Sequence, residues 1–359
     1  MKQKKFSLFL LSSIIKMTVS SSLLLCLLTL VMGLFSSCTE NLDFKVTEEP
    51  ITFDVKDVGF EDGKPVTRGS RTSLIENFGV SASAYNASST YTSNECGSYF
   101  YNIPATPNSA ISYFWPAANQ EISFFAYHPY GNANLTIQSA TTTGAPIYQY
   151  TTPTTVASQI DVMTAEVTDM SCETPTVVNL SFKHKCSDLA FNLVNSTSET
   201  VTVNSLTIKN FYQTGNLQES TWTTTGSTQD FVLSVNQNVA SGSSLDLTGT
   251  DNHFFLVPQT IASGKRLLDL YITSGGENKH FYSDLSEAFV AEAGKTYQFK
   301  LLLKSNLEIE DEISVNDWSL YVGYFNYATG TNTENWTPED QPIEHVISSS
   351  ITNWTQENN

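Results

Sequence analysis

The chain has 359 residues, with 18 Lys or Arg against 36 Asp or Glu, a formal charge of −18 and only 15% charged residues. At about 100–200 residues per domain, this length accommodates two domains that each bury a core. The negative balance excludes nucleic acid, whose phosphates require Lys and Arg, and excludes docking on an anionic membrane by charge alone.

The first segment, MKQKKF with Lys16, is basic, and Met17 to Phe35 is an apolar run interrupted only by small polar residues. This is the n-region and h-region of a secretory signal. Such a run would also span a bilayer, so a retained transmembrane anchor is the competing reading. The sequence FSSC decides between them, because Ser36 and Ser37 precede Cys38 at the distance a lipoprotein signal peptidase requires. It resembles the lipobox of bacterial lipoproteins, with Phe35 where Leu or Val is usual. Residues 1–37 are then the signal peptide and Cys38 carries the lipid, whose two or more acyl chains anchor without a transmembrane helix. Removing residues 1–37 takes four lysines and no acid, leaving a formal charge of −22.

Residues 38–72 read as a lipid-anchored unit in three parts. A polar tether runs to residue 50. The run ITFDVKDV (51–58) alternates Ile51, Phe53 and Val55 with polar residues, the period of a half-buried strand. An exposed linker, GFEDGKPVTRGSRTS, follows and holds Arg68 and Arg71.

From Ser81 onward short apolar runs recur between turn residues, and prolines at 116, 129, 146, 153 and 175 break any helix drawn through them. Strands are expected at 111–117, 121–129, 135–138, 147–150 and 176–182. A second series follows in DLAFNLVN, VTVNSLTIKNF, FVLSV, HFFLVPQ, LLDLYIT, TYQFKLLLK and ISVNDW. The expected fold is all-β with little helix, built as two tandem β-sandwich domains over 73–190 and 191–318. The strongest helix signal is DLSEAFVAEAG (284–294), with Ser286 as cap and Gly294 as stop. Residues 319–359 form a polar extension without Lys or Arg, in which VISSSITNW is expected to pair as one further strand.

Catalytic chemistry is missing from this chain. The five histidines, 128, 184, 253, 280 and 345, fall in no H-E-x-x-H pattern, and no G-x-S-x-G elbow or phosphate-binding glycine loop occurs. The acids 308, 310, 311 and 312 lack the spacing of a calcium loop and read as a solvated strand entry. Cys96, Cys172 and Cys186 are odd in number without C-x-x-C spacing, which leaves a Cys172–Cys186 disulfide or buried free thiols open. No catalytic residue, metal site or cofactor is expected.

Arginine placement is the distinctive feature. The chain has three arginines: Arg68 and Arg71 in the linker, and Arg266 inside an apolar run; from Thr72 to Phe182 there is no Lys or Arg. An arginine-specific protease would therefore meet one exposed place to cut, after Arg68 or Arg71. The cut would detach the lipid anchor and the strand 51–58. A sheet that loses a strand offers unpaired N–H and C=O groups to another chain, which is a route to polymerisation. The plainer reading takes T-R-G-S-R-T as a soluble linker and nothing more.

The segments YFWPAANQEISFFAYHP (113–129), QIDVMTAEV (159–167), VVNLSFKHKCSDLAFNL (177–193), HFFLVPQTI (253–261) and AGKTYQFKLLL (293–303) resemble, in order, the motifs of the fimbrillin family of Mfa-like pilus subunits. The resemblance covers about residues 45–318. It implies two transthyretin-like sandwiches, export as a lipoprotein, removal of the first strand at an arginine, and assembly by strand exchange with other fimbrial subunits. The expected function is a non-enzymatic structural or adhesive subunit of a cell-surface fimbria. Its partners would be other subunits, the outer-membrane lipid through Cys38 before processing, and a host or bacterial surface ligand. The alternative is a monomeric surface lipoprotein that binds glycans or host proteins, and a glycan hydrolase ranks third.

Overall fold

Alternating apolar residues bounded by Gly, Pro and Asn become strands almost everywhere in the computed structural model, which describes residues 46–56, 75–92, 97–138, 144–249, 252–317, 345–347 and 352–357. Over the N-terminal part these strands are β1 (Val46–Lys56), β2 (Phe78–Asn86), β3 (Gly97–Ala105), β4 (Ala110–Pro116), β5 (Gln120–His128), β6 (Leu135–Gln138), β7 (Ile147–Thr151), β8 (Met163–Ser171), β9 (Val178–Ser181) and β10 (Lys183–His184). The chain continues with β11 (Ser187–Asn195), β12 (Val201–Gln218), β13 (Thr221–Val239), β14 (Ser244–Asp246), β15 (Phe254–Leu256), β16 (Gln259–Ile261), β17 (Arg266–Ser274) and β18 (Glu277–Leu285). It ends with β19 (Phe289–Ala291), β20 (Lys295–Leu303), β21 (Ile309–Asp317), β22 (His345–Ile347) and β23 (Thr352–Glu357). Among the described residues the one helical element is a 3-10 turn at Val156–Ser158. The fold is all-β, with sheets stacked as in a sandwich.

A three-stranded sheet has the order β4-β1-β9, and a five-stranded sheet the order β10-β8-β5-β2-β3. β2 is buried along all but its last residue, as befits a strand paired on both edges and covered on both faces. The six-stranded sheet runs β14-β11-β20-β21-β22 with β15 also on β11. The seven-stranded sheet runs β23-β18-β17-β12-β7-β6 with β13 on β12. The inner faces of these two larger sheets share one core, in which Phe191 and Phe299 stack with centroids 4.6 Å apart. Each fully buried Phe or Leu there contributes roughly 1.5–3 kcal/mol.

The β12–β13 hairpin ties the halves of the chain together. β13 occupies one edge of β12 throughout, so β17 and β7 share the other edge, β17 along Val201–Ile208 and β7 along Thr214–Gln218. β6 and β7, which precede residue 190, thus hydrogen-bond into a sheet built mainly from residues that follow it. A second core, with Tyr127, Tyr150, Val162, Leu217 and Phe255, fills this junction. The described residues all belong to one compact unit, Val46–Asn359.

Three expectations are corrected. The helix over 284–294 is absent: β18 runs to Leu285, and Phe289–Ala291 is a strand paired with β16. Phe289 and Ala291 are buried and Val290 between them is 48% exposed, a period of two that the core enforces over helix propensity. The tether is shorter than read, because Val46–Pro50 already belongs to β1. The tail supplies two strands on two different sheets: β22 pairs with β21 and β23 with β18.

Candidate functional site

The expected first strand is the candidate site. Within β1, Ile51 and Phe53 are fully buried, whereas Glu48, Glu49 and Pro50 are exposed. The strand uses two neighbours in succession. Its first half pairs antiparallel with β4, at Val46–Pro116, Pro50–Phe114 and Thr52–Ala110. Its second half pairs parallel with β9, from Phe53–Val178 to Lys56–Ser181. The Asn108 amide donates to the Phe53 carbonyl at 2.8 Å, which fastens the crossover between the two ladders.

Phe53 is the anchor. Its ring meets Phe78 and Phe124 edge-on, with centroids 5.7 and 5.4 Å away. Phe78 in turn meets Phe182 at 5.6 Å, and Phe124 meets Trp115 at 5.9 Å. Edge-to-face pairs of this kind add about 0.5–1.5 kcal/mol each beyond the area they bury. Without β1, the β4 and β9 edges and an aromatic floor of Phe78 and Phe124 would face water.

Cys38, Arg68 and Arg71 lie outside the described residues, as does Cys96. β1 ends at Lys56 and the next described residue is Ile75. Cys172 and Cys186 are buried free thiols, and burial pushes the Cys172 thiol up to about 12. Arg266 lies in β17, with its guanidinium 3.6 Å above the Tyr282 ring and its Nε 3.3 Å from an Asp284 oxygen. Its carbonyl accepts a 2.6 Å hydrogen bond from the Asn210 amide.

Three of the histidines, His184, His253 and His280, serve the framework. His184 pairs with Asp161 at 2.8 Å and His253 with Asp188 at 2.8 Å; the other Asp188 oxygen accepts from Thr296 at 2.9 Å. His280 lies 3.3 Å from Asp269 and stacks on Tyr271 at 4.2 Å. Glu310, in the acidic group, pairs with Lys304. Among the described residues no group of three His, Cys, Asp or Glu is placed to hold a metal ion.

Two elements of the seat were not read from the sequence. Pro50 fell inside the expected tether, and the parallel partner of β1 comes from residues more than a hundred positions downstream. The buried alternation of Ile51 and Phe53 was the signal available, and it carries no information about which strand will be adjacent.

Residues 67–318 match a protein family described as fimbrillin-like. The chain belongs to the fimbrillin-like family. Among solved structures, a fimbrial protein from Bacteroides vulgatus shares 16% identity, with a TM-score of 0.55, over 75% of this chain and 99% of its own. A proposed cell adhesion protein from Bacteroides ovatus shares 16% identity, with a TM-score of 0.47, over 77% of this chain and 98% of its own. No curated protein matches. Membership of the fimbrillin-like family supports a structural, fimbrial subunit at the cell surface.

Proposed function

We propose that this fimbrillin-like chain is exported as a lipoprotein on Cys38, cut after Arg68 or Arg71, and assembled into a fimbria when another subunit's strand replaces β1. The observation that carries this reading is the seating of β1. It lies between two other strands with Ile51 and Phe53 buried, and it stands directly before the two linker arginines in the sequence. The family match begins at residue 67, downstream of β1. In the uncut chain β1 fills its own seat, which keeps the precursor monomeric. After the cut, a replacement strand with apolar residues at the Ile51 and Phe53 positions recovers roughly 1.5–3 kcal/mol per buried side chain, together with the main-chain bonds of both ladders. The division into two sandwich domains at residue 190, and an outer-membrane location before processing, belong to the same proposal.

The test is treatment of the lipid-free chain with an arginine-specific protease, followed by native electrophoresis. Oligomer ladders that depend on the cut are expected. Protein that stays monomeric at high concentration after cleavage overturns the assembly reading. Cys38→Ala should abolish labelling by palmitate in cells, and persistent labelling removes the lipid assignment.

A further inference from the structure

Without the tail, the seven-stranded sheet would end at β18 and the six-stranded sheet at β21. Both edges are covered by residues beyond 318, where the family match stops. β23 pairs antiparallel with β18 over six unbroken positions, from His280–Glu357 to Leu285–Thr352, and also lies against β21. β22 covers β21 over three positions, Ile313–Ile347 to Val315–His345. Trp354 stands opposite Ser283, on the face of β18 that buries Phe281 and Leu285, and packs against the large core. Cross-strand partners share a face, so the indole covers the rim of that core.

The two edges differ in charge, and the longer cover lies over the one that would pair more readily. β21 carries Glu310, Asp311, Glu312 and Asp317 and no base, although Lys304 answers Glu310. Two β21 edges brought side by side therefore repel. β18 carries the acids Glu277 and Asp284, and both are paired, Glu277 with Lys279 at 3.1 Å and Asp284 with Arg266 at 3.3 Å. In a chain of formal charge −18 it is an edge that a second copy can approach without like charges meeting. Bare, it would present unpaired N–H and C=O groups beside apolar Phe281 and Leu285, the kind of edge that folded proteins cover or blunt.

We propose that the C-terminal extension is an edge guard, in which β23 denies β18 to a second copy of this chain. The occupant it excludes is the second copy's β18, which would pair antiparallel with the first and carry the sheet across a two-fold axis. Trp354 is the anchor of the guard, and the six-position ladder is its clasp. Sideways association through β18 stays closed whether or not the chain is cut at Arg68 or Arg71.

The experiment uses the uncut, lipid-free chain, so its result does not depend on cleavage or on strand replacement. Wild type is compared with Trp354→Ala and with a triple variant, Trp354→Ala, Thr355→Pro and Gln356→Pro. Successive N–H groups of a strand point to opposite edges, so the two prolines together remove whichever one faces β18. Light scattering over a concentration series reads the mass, and hydrogen exchange reads the β18 amides. Wild type should stay monomeric with β18 protected. The triple variant should lose protection along β18 when dilute, then form dimers and regain it as concentration rises; Trp354→Ala should shift the same way by less. A triple variant that stays monomeric while β18 exchanges freely overturns the pairing of copies, and one whose β18 keeps wild-type protection overturns the cover by β23. Dimers that form without renewed protection of β18 use another surface and overturn the proposal as well. Trp354→Ala indistinguishable from wild type removes Trp354 as the anchor. Circular dichroism confirms that each variant is folded.

Discussion

Phe53→Ala tests whether one side chain holds the first strand in place. Phe53 has no exposed surface and meets two aromatic rings, Phe78 and Phe124. Removing a fully buried phenyl ring costs about 3–5 kcal/mol when the surroundings do not collapse into the space. Here the rings around it belong to other strands of the seat, which limits collapse. In an uncut chain β1 can open locally while the remaining sheets persist, so the loss should appear as local opening rather than global unfolding. The Asn108 amide is the natural reporter, because it donates to the Phe53 carbonyl at 2.8 Å. At 1.36 kcal/mol per decade, exchange of the Asn108 amide with deuterium should accelerate by roughly two to four decades. Amides of β20, in the distant core, should change far less. Unaltered protection at Asn108 in a folded Phe53→Ala variant would show that β1 is held by its backbone ladders and refute the anchor argument.

Three further outcomes rest on packing and burial elsewhere in the fold. A Cβ placed on Gly79 would lie 2.0 Å from a ring carbon of buried Tyr127, so Gly79→Ala should destabilise by about 1–3 kcal/mol in denaturant titration; a wild-type midpoint would contradict the packing. Arg266 is braced within β17 by Asn210, Asp284 and Tyr282, so an arginine-specific protease should leave the Arg266–Leu267 bond intact. Asn210→Ala should raise cleavage there, read by mass spectrometry, and equal resistance of variant and parent would remove that residue from the bracing. Burial pushes the Tyr297 phenol from 10.0 up to about 12. The unfolded chain therefore loses this proton first, so the stability it supplies is full below pH 10 and lost as pH rises through about 12. Tyr297→Phe should make the fall in stability over that window shallower, and an identical slope would rule out this tyrosine as a source.

Much of the strand content was legible because it is local. The runs at 121–129, 135–138 and 147–150 became β5, β6 and β7 within a residue or two, since alternation and proline placement act on a chain before it folds. The segment at 284–294 went the other way. Its Glu and Ala residues favour helix, and only the burial of Phe289 against Tyr297 and Phe299 shows why it is a strand. The candidate site was half legible. Ile51 and Phe53 announced a buried face, but a strand's period identifies its face and not its neighbours.

The strand-rich character of the chain and the placement of its three arginines are properties of composition and short-range order, legible before folding. The tertiary structure alone decided that β1 crosses from β4 to β9, that β6 and β7 join β12, and that the tail divides between two sheets. Strand pairing is a contact between distant residues, selected by which apolar faces can be buried together, and no local pattern encodes that choice.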